Sequence, residues 1–331
     1  MNGQLSHQML AEPAKRAARV VARARLDNVR DAYARFGSDD AQALHDLRVG
    51  LRRLRSWLRA FRPELDDTVR GKTRRRLRDL THATNAARDI EVWSAWIETQ
   101  SRLPARARPG LRYVTRWLHA DAESQRRKAN KRIRSRLPAL LDSLEREVST
   151  YTAPVPAEDG AMMETTMADA MAELIQRHHR RFARRIDRVH AAGDVGAIHR
   201  CRIAAKRLRY LLEALEEFPS AKDAAASLAE MQDAFGDVRD LRLFLHRIVE
   251  RVGVVAMLEA RRRAARSLAI GANDAPSPAL SRVRPGMLVL AKAARKEADA
   301  AFETFRAAWD DARLASLSRN IETLTSELRT L

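Results

Sequence analysis

Two short segments place histidine, arginine and lysine at spacings suited to holding a row of anions. Residues 45–55 read HDLRVGLRRLR and residues 199–209 read HRCRIAAKRLR. His45, Arg48, Arg52 and Arg55 share their spacing with His199, Arg202, Lys206 and Arg209. On a helix of about 100° per residue with His45 at zero, Arg52 falls near 340°, Arg59 near 320°, Arg48 near 300° and Arg55 near 280°. Leu44, Leu47, Leu51, Leu54, Leu58 and Phe61 fall between roughly 160° and 260°, a core face beside the basic stripe. The second copy has Ile198, Cys201, Ala205, Leu208, Leu212 and Leu215 on its core side, and residues 199–211 contain no acid. Like charges stacked one turn apart oppose helix stability, so stability alone does not select this pattern. The arginine fork fits phosphate oxygens bidentately. A row of such forks offers phosphate sites about 5–6 Å apart, which a flexible linear polyphosphate could follow.

Other basic stripes are present. His178, Arg181, Arg185 and Arg188 repeat the same spacing, and Arg16, Arg19, Arg23 and Arg30 line an earlier helix. Arg126, Arg127, Lys128, Lys131, Arg132, Arg134 and Arg136 crowd another, in too many directions to form one site. Some of these must be solvated faces. Of these stripes, Arg19, Arg23, Arg181 and Arg185 are taken as secondary candidates for ligand contact. His45 and His199 fit a phosphate donor, but a capping or packing histidine at a helix start fits as well. As metal ligands they are weak, because neither has His-x-x-x-His or Cys/His spacing, and no metal or cofactor is expected. As catalytic bases each needs an orienting acid, and Asp46 points about 100° away from His45. Cys201 is expected to be a small buried hydrophobe. Trp57, Trp93, Trp96, Trp117 and Trp309 fall mostly at apolar helical positions, where core packing is expected.

Positioning these stripes requires helices. Ala, Leu, Arg and Glu recur and alternating β-branched runs are missing, so the chain is expected to be all-α. Breaks are expected near Phe36-Gly37-Ser38, at Arg62-Pro63, from Leu103 to Gly110, at Gly193, at Pro219-Ser220 and from Gly271 to Gly286. Ser38, Asp39 and Asp40 are available to cap the helix carrying the first stripe. The stretch STYTAPVPAEDG, from Ser149 to Gly160, reads as a linker. A second repeat accompanies the first: residues 77–93 (LRDLTHATNAARDIEVW) match residues 228–244 (LAEMQDAFGDVRDLRLF), sharing Arg88-Asp89 and Arg239-Asp240. Two matches at nearly one offset indicate an internal duplication. The expected organisation is a first four-helix bundle over 1–150, a linker over 151–160 and a second four-helix bundle over 161–331, related by pseudo-two-fold symmetry around a basic central groove or pore. The shared Arg-Asp pairs are expected to serve ion pairing or helix packing.

Composition narrows the partner. The 331 residues carry 62 Lys+Arg against 43 Asp+Glu, a formal charge of +19, and 45% are hydrophobic. The chain has enough apolar content to fold, and its excess charge calls for an anionic partner. One cysteine and an N-terminus without an apolar signal region point to a reducing, cytoplasmic setting. No run of about 18 apolar residues exists to span a membrane.

The residues point to a family. His45-x-x-Arg48-Val-x-x-Arg52-Arg53-Leu-Arg55 and His199-x-x-Arg202-Ile-x-x-Lys206-Arg207-Leu-Arg209-Tyr210 resemble the two signature helices of the CHAD family, the histidine α-helical domain. Leu228-x-x-Met-Gln232-Asp233-x-x-Gly236-x-x-Arg239-Asp240 resembles its third-helix motif; the first copy departs, with Asn85 where the second has Gly236. The resemblance covers nearly the whole chain. It implies basic residues from several helices lining a central groove or pore, binding of inorganic polyphosphate, and association with polyphosphate granules. Carried over, the ligand-facing set is His45, Arg48, Arg52, Arg55, His199, Arg202, Lys206 and Arg209, to which the stripe adds Arg59. Arg53 and Arg207 match the motif, but near 80° they lie off the stripe and are expected to make secondary or structural contacts. Some members carry a triphosphatase tunnel domain with a Glu-x-Glu-x-Lys signature. That motif is not found here, so a stand-alone binding module without catalytic residues is expected.

Three other readings compete. Non-specific nucleic-acid binding would use the same arginines with strong salt dependence, but aromatics are 5% of the chain and few lie among the basic residues. A phosphoanhydride-processing enzyme, or its accessory subunit, normally holds Mg²⁺ on carboxylates, and no acidic cluster stands beside the stripes. A helix lying on anionic lipid is the fourth, opposed by the duplicated globular pattern. Protein partners are not readable from the sequence.

Overall fold

The computed structural model describes residues 3–36, 41–100, 103–150, 164–268 and 278–331. It is all-α, with no strand among the described residues beyond one isolated bridge between Pro13 and Thr166. In chain order the helices are α1 (His7–Ala11), α2 (Ala14–Arg35), α3 (Ala41–Ala60), α4 (Arg62–Leu65), α5 (Gly71–Ala83), α6 (Asn85–Glu98), α7 (Arg108–Ser149), α8 (Met167–Ile186), α9 (Val195–Leu212), α10 (Pro219–Leu268), α11 (Pro278–Ala308) and α12 (Asp311–Arg329). The 151–160 linker and the proposed caps Ser38, Asp39 and Asp40 lie outside the described residues.

Helix starts follow local chemistry. The Thr166 hydroxyl accepts from the Asp169 backbone N–H at 3.1 Å and donates to the Asp169 carboxylate at 2.8 Å, a reciprocal cap on α8. Asp194 accepts from the Ala197 N–H at 2.8 Å and starts α9. The starts of α2 and α8 are joined across the fold, the Ala14 N–H donating to Thr165 O at 3.0 Å and the Met167 N–H to Glu12 O at 2.9 Å.

Two apolar clusters hold the helices, and both draw on residues before 151 and after 163. The larger joins α2, α3, α8, α9 and α12 with parts of α5, α7, α10 and α11, around side chains such as Leu26, Leu51, Trp57, Ile175, Leu208 and Phe235. The smaller joins α6 and the first part of α7 to the far part of α10 and the first part of α11, around Trp93, Val114, Phe244 and Leu290. Trp57, Trp93 and Trp309 are buried, and Trp96 and Trp117 pack on the smaller cluster. Cys201 is fully buried, and burial pushes its thiol up to about 12.

The expected loop from Gly271 to Gly286 is corrected at its far end, since α11 begins at Pro278 and carries Pro285 and Gly286 inside it. Gly286 lies against Gly110, in the first turn of α7. A Cβ on Gly110 would sit 2.3 Å from the Gly286 carbonyl carbon, and one on Gly286 would sit 2.6 Å from Gly110 N. The glycines serve a backbone-to-backbone helix crossing, not a chain reversal.

Candidate basic-cluster site

Helix α3 turns its apolar side, from Leu44 to Leu58, into the larger core, and α9 does the same with Ile198, Cys201, Ala205 and Leu208. The helices meet each other, and the basic residues flanking their core faces are thereby brought together. Arg52 and Arg55 of α3 act on Lys206 of α9, Arg52 also acts on Arg202, and Arg55 and Arg59 act on Arg207. From α8, Arg181 and Arg185 approach Arg207, and His178 sits among Arg181, Arg207, Arg177 and Arg59. Arg207, expected off the stripe and in secondary or structural contacts, joins the α3 and α8 cations. Among the described residues, no carboxylate comes within ion-pair distance of Arg52, Arg55, Arg59, Arg181, Lys206 or Arg207.

The electrostatic cost is visible in the side chains. Burial, then Arg52, Arg202, Arg55 and Arg209, pushes Lys206 down to about 6. Burial and the neighbouring Arg59, Arg185, Arg181 and Arg55 bring Arg207 to about 10. His178 is held at about 4 by burial and by Arg181, Arg207, Arg177 and Arg59.

At the other end of the cluster the repeated Arg-Asp pairs meet. Arg88 of α6 donates to Asp240 at 2.5 Å and to Asp89 at 3.3 Å; Arg239 of α10 donates to Asp240 at 2.7 Å and lies 3.8 Å from Asp89. Burial opposes the Arg88 charge, but Asp240 and Asp89 hold it above its ordinary value. Arg48 lies between this quartet and Arg52, 3.8 Å from Glu91. Arg202 donates to Gln232 O at 3.4 Å, and His199 sits beside Arg239 and Arg202, its pKa lowered by burial and by their charge.

Several candidates lie elsewhere. Arg19 is buried and fully engaged, donating to Thr150 O, Lys15 O, Glu64 O, Asp67 and Thr68 at 2.7–3.2 Å, so it is a structural staple. Arg23 and Arg30 pair with Glu145, and Arg16 with Glu12, which neutralises the α2 stripe. Arg53 pairs with Glu213 at 3.4 Å. His45 lines a cavity of about 520 Å³ with Arg53, Asp46, Arg25 and Glu213, whose lining includes none of Arg52, Arg55, Arg59, Lys206 or Arg207. The two motif histidines thus occupy different surroundings. Arg209 stays at the cluster, partly neutralised by Glu213 at 3.2 Å. The basic residues between Arg126 and Arg136 are exposed, and Arg127 pairs with Glu123. Sequence reasoning missed Arg78 and His82 beside Arg55, and Arg88 and Arg239 beside the stripe. The repeated Arg-Asp pair was the available signal for the last two.

The described residues gather no three His, Cys, Asp or Glu side chains that could hold a metal ion. None of their helices is long and apolar enough to cross a membrane.

A family model described as the CHAD domain matches residues 12–249. This chain belongs to the CHAD domain family. The CHAD family is linked in general to polyphosphate binding. The crystal structure of the CHAD domain from the plant Ricinus communis superposes with a TM-score of 0.64 at 23% identity, covering 96% of each chain. PptA from Streptomyces chartreusis superposes with a TM-score of 0.61 at 17% identity, covering 90% of this chain and 99% of its own. At these identities the likeness is one of fold. No curated protein matches the chain.

Proposed function

We propose that this CHAD protein binds inorganic polyphosphate along the cations gathered by α3, α8 and α9, as a binding module without catalytic turnover. The observation that carries this reading is the run of basic side chains from Arg52 through Lys206 and Arg55 to Arg207, Arg59 and Arg181, without a carboxylate partner among the described residues, whose arginines repel one another until an anion lies between them. A linear chain of phosphates supplies closely spaced charge and many acceptor oxygens to arginine forks. Arg48, Arg202 and His199 extend the contact toward the Arg-Asp quartet, and Arg209 extends it the other way, toward Glu213. The protein works in the cytoplasm and associates with polyphosphate granules. Residues 1–150 and 161–331 are two copies of one helical unit, a reading supported by the joined starts of α2 and α8 and by the meeting of Arg88-Asp89 with Arg239-Asp240.

The test is a competition titration at about 0.15 M salt, where screening removes weak contacts. Labelled polyphosphate is bound and then challenged with unlabelled polyphosphate, DNA, RNA and heparin at matched charge. Displacement by polyphosphate at much lower concentration than by the others is expected. Equal displacement by DNA or RNA would move the assignment to a general nucleic-acid-binding surface, and release of orthophosphate during the incubation would make the protein an enzyme.

A further inference from the structure

Within the cluster, three basic side chains surround one phenol. Tyr210 is 4% exposed, and the Arg209 and Arg52 guanidinium carbons lie 5.2 and 5.9 Å from its ring centroid, with Lys206 Nζ at 5.7 Å. The Tyr210 hydroxyl, Arg52 Nε and Arg209 Nε are all buried without a hydrogen-bond partner among the described residues. Buried polar groups left unmade are costly, and so many in one place point to a missing acceptor.

The charges around Lys206 come from every side. Arg52 and Arg55 face it from α3, and Arg202 and Arg209 from its own helix. From α10, Arg239 and Asp240 act on Arg202; from α8, His178, Arg181 and Arg185 act around Arg207. The acid at this end, Glu213, is engaged by Arg209 and Arg53. Lys206 therefore stands among cations and over the Tyr210 ring, with no carboxylate partner among the described residues.

We propose that Lys206 and Tyr210 form the seat for one phosphoryl group of the bound chain, the phenol donating to its oxygen, and that filling this seat charges Lys206 with a proton taken from solvent. The inference rests on the polyphosphate reading for its ligand. In the empty seat the neutral amine avoids a further like charge among the arginines. An anion reverses that balance: it stabilises the ammonium form and accepts from Lys206, Tyr210 and the two arginine Nε groups at once. Tyr210 thereby becomes a specificity-determining residue, a neutral donor that rewards an oxyanion but gains nothing from diffuse negative potential.

Calorimetric titration of the whole chain with linear polyphosphate near pH 8, in two buffers of different ionisation heat, tests it, because His199 beside the cluster, its pKa lowered by burial, Arg239 and Arg202, is neutral there. The wild type is expected to take up about one proton per protein molecule, and its affinity to weaken by up to about tenfold per pH unit from there upward. Lys206→Arg is expected to bind without that uptake and with affinity flat over the same range. Tyr210→Phe is expected to keep the uptake and lose roughly tenfold in affinity, the weight of a hydrogen bond to a charged group. Wild-type binding heats that do not depend on the buffer, or uptake undiminished in Lys206→Arg, would overturn the proton-linked seat; unchanged affinity in Tyr210→Phe would remove the hydroxyl from it. A wild type giving no heat with polyphosphate at all would instead bring down the polyphosphate reading, and this inference with it.

Discussion

Arg19 and Arg55 both project from basic helical stripes, yet the fold gives them opposite surroundings. Arg19 satisfies three backbone carbonyls, a carboxylate and a hydroxyl, so its charge is neutralised inside the protein. Arg55 is half-buried, and the charges that depress its pKa after burial itself are Arg59 and Arg78. Arg19→Ala is therefore expected to cost roughly 1–3 kcal/mol in urea unfolding, by removing a buried guanidinium and its part-buried hydrogen bonds, and to leave polyphosphate affinity within about twofold. Reversing Arg48, Arg52, Arg202 and Lys206 to Glu is expected to abolish polyphosphate binding while the helical circular dichroism spectrum persists; binding by that variant would displace the site. His199 carries a pH signature. Its free pKa lies below the ordinary value because of burial, Arg239 and Arg202, and a bound phosphate raises it. In a Lys206→Arg background, affinity should rise as pH falls below about 6.5, and His199→Gln should flatten that rise. What the sequence made legible at this scale was the spacing of the stripe, since helical periodicity fixes which side chains share a face. It did not disclose which cations meet a carboxylate. Glu145, far along the chain on α7, neutralises Arg23 and Arg30, and no local pattern announces such a contact. Tyr210 was visible as the last residue of a motif, but its surroundings depend on three basic side chains folded around it.

At the scale of elements, the duplicated segments were legible because both copies need the same core face and the same flanking cations. Their outcomes still differ. The first copy of the third-helix motif breaks between α5 and α6 at Thr84, whose hydroxyl donates to Thr81 O at 2.9 Å. The second runs unbroken through α10 from Pro219 to Leu268. Gly and Pro were read as chain breaks near 110 and 286, whereas they belong to a helix crossing. A composition-based reading cannot separate the two uses, because a close backbone approach and a turn both demand the missing Cβ. The crossing gives a prediction specific to the smaller core. Gly110→Ala or Gly286→Ala inserts a methyl where backbone atoms lie 2.3–2.9 Å away. Either is expected to destabilise α7 and α11 around Val114 and Leu290 by about 1–3 kcal/mol, read as faster amide exchange there than around Leu51 and Leu208. Polyphosphate affinity, held by the larger core, should change little. Equal exchange in the two cores would mean that they open as one unit.

For the whole molecule, a formal charge of +19 is distributed unevenly: acids neutralise α2 and the Arg-Asp quartet, while cations at the α3, α8 and α9 meeting are left facing each other. The ligand-free protein thus carries concentrated self-repulsion that an anionic partner relieves. His178 sharpens this with pH. Its folded pKa, about 4, lies below its unfolded value, so the unfolded chain binds more protons between those two values. Stability is then greatest above about 6.5 and declines as pH falls toward 4. Near neutral pH, raising salt from about 0.05 to about 0.5 M is expected to raise the ligand-free melting temperature by several degrees, through screening of the cluster. If the proposed binding holds, polyphosphate at low salt should raise it further, as any ligand of the folded state does, and that increment should shrink as salt displaces the chain. The two salt dependences have opposite signs, and one series of thermal melts with and without polyphosphate reads both. A ligand-free melting temperature indifferent to salt would mean that the cations are already neutralised within the fold. An increment that survives high salt would assign the binding to hydrogen-bond geometry at the Tyr210 seat more than to the charge of the surrounding arginines.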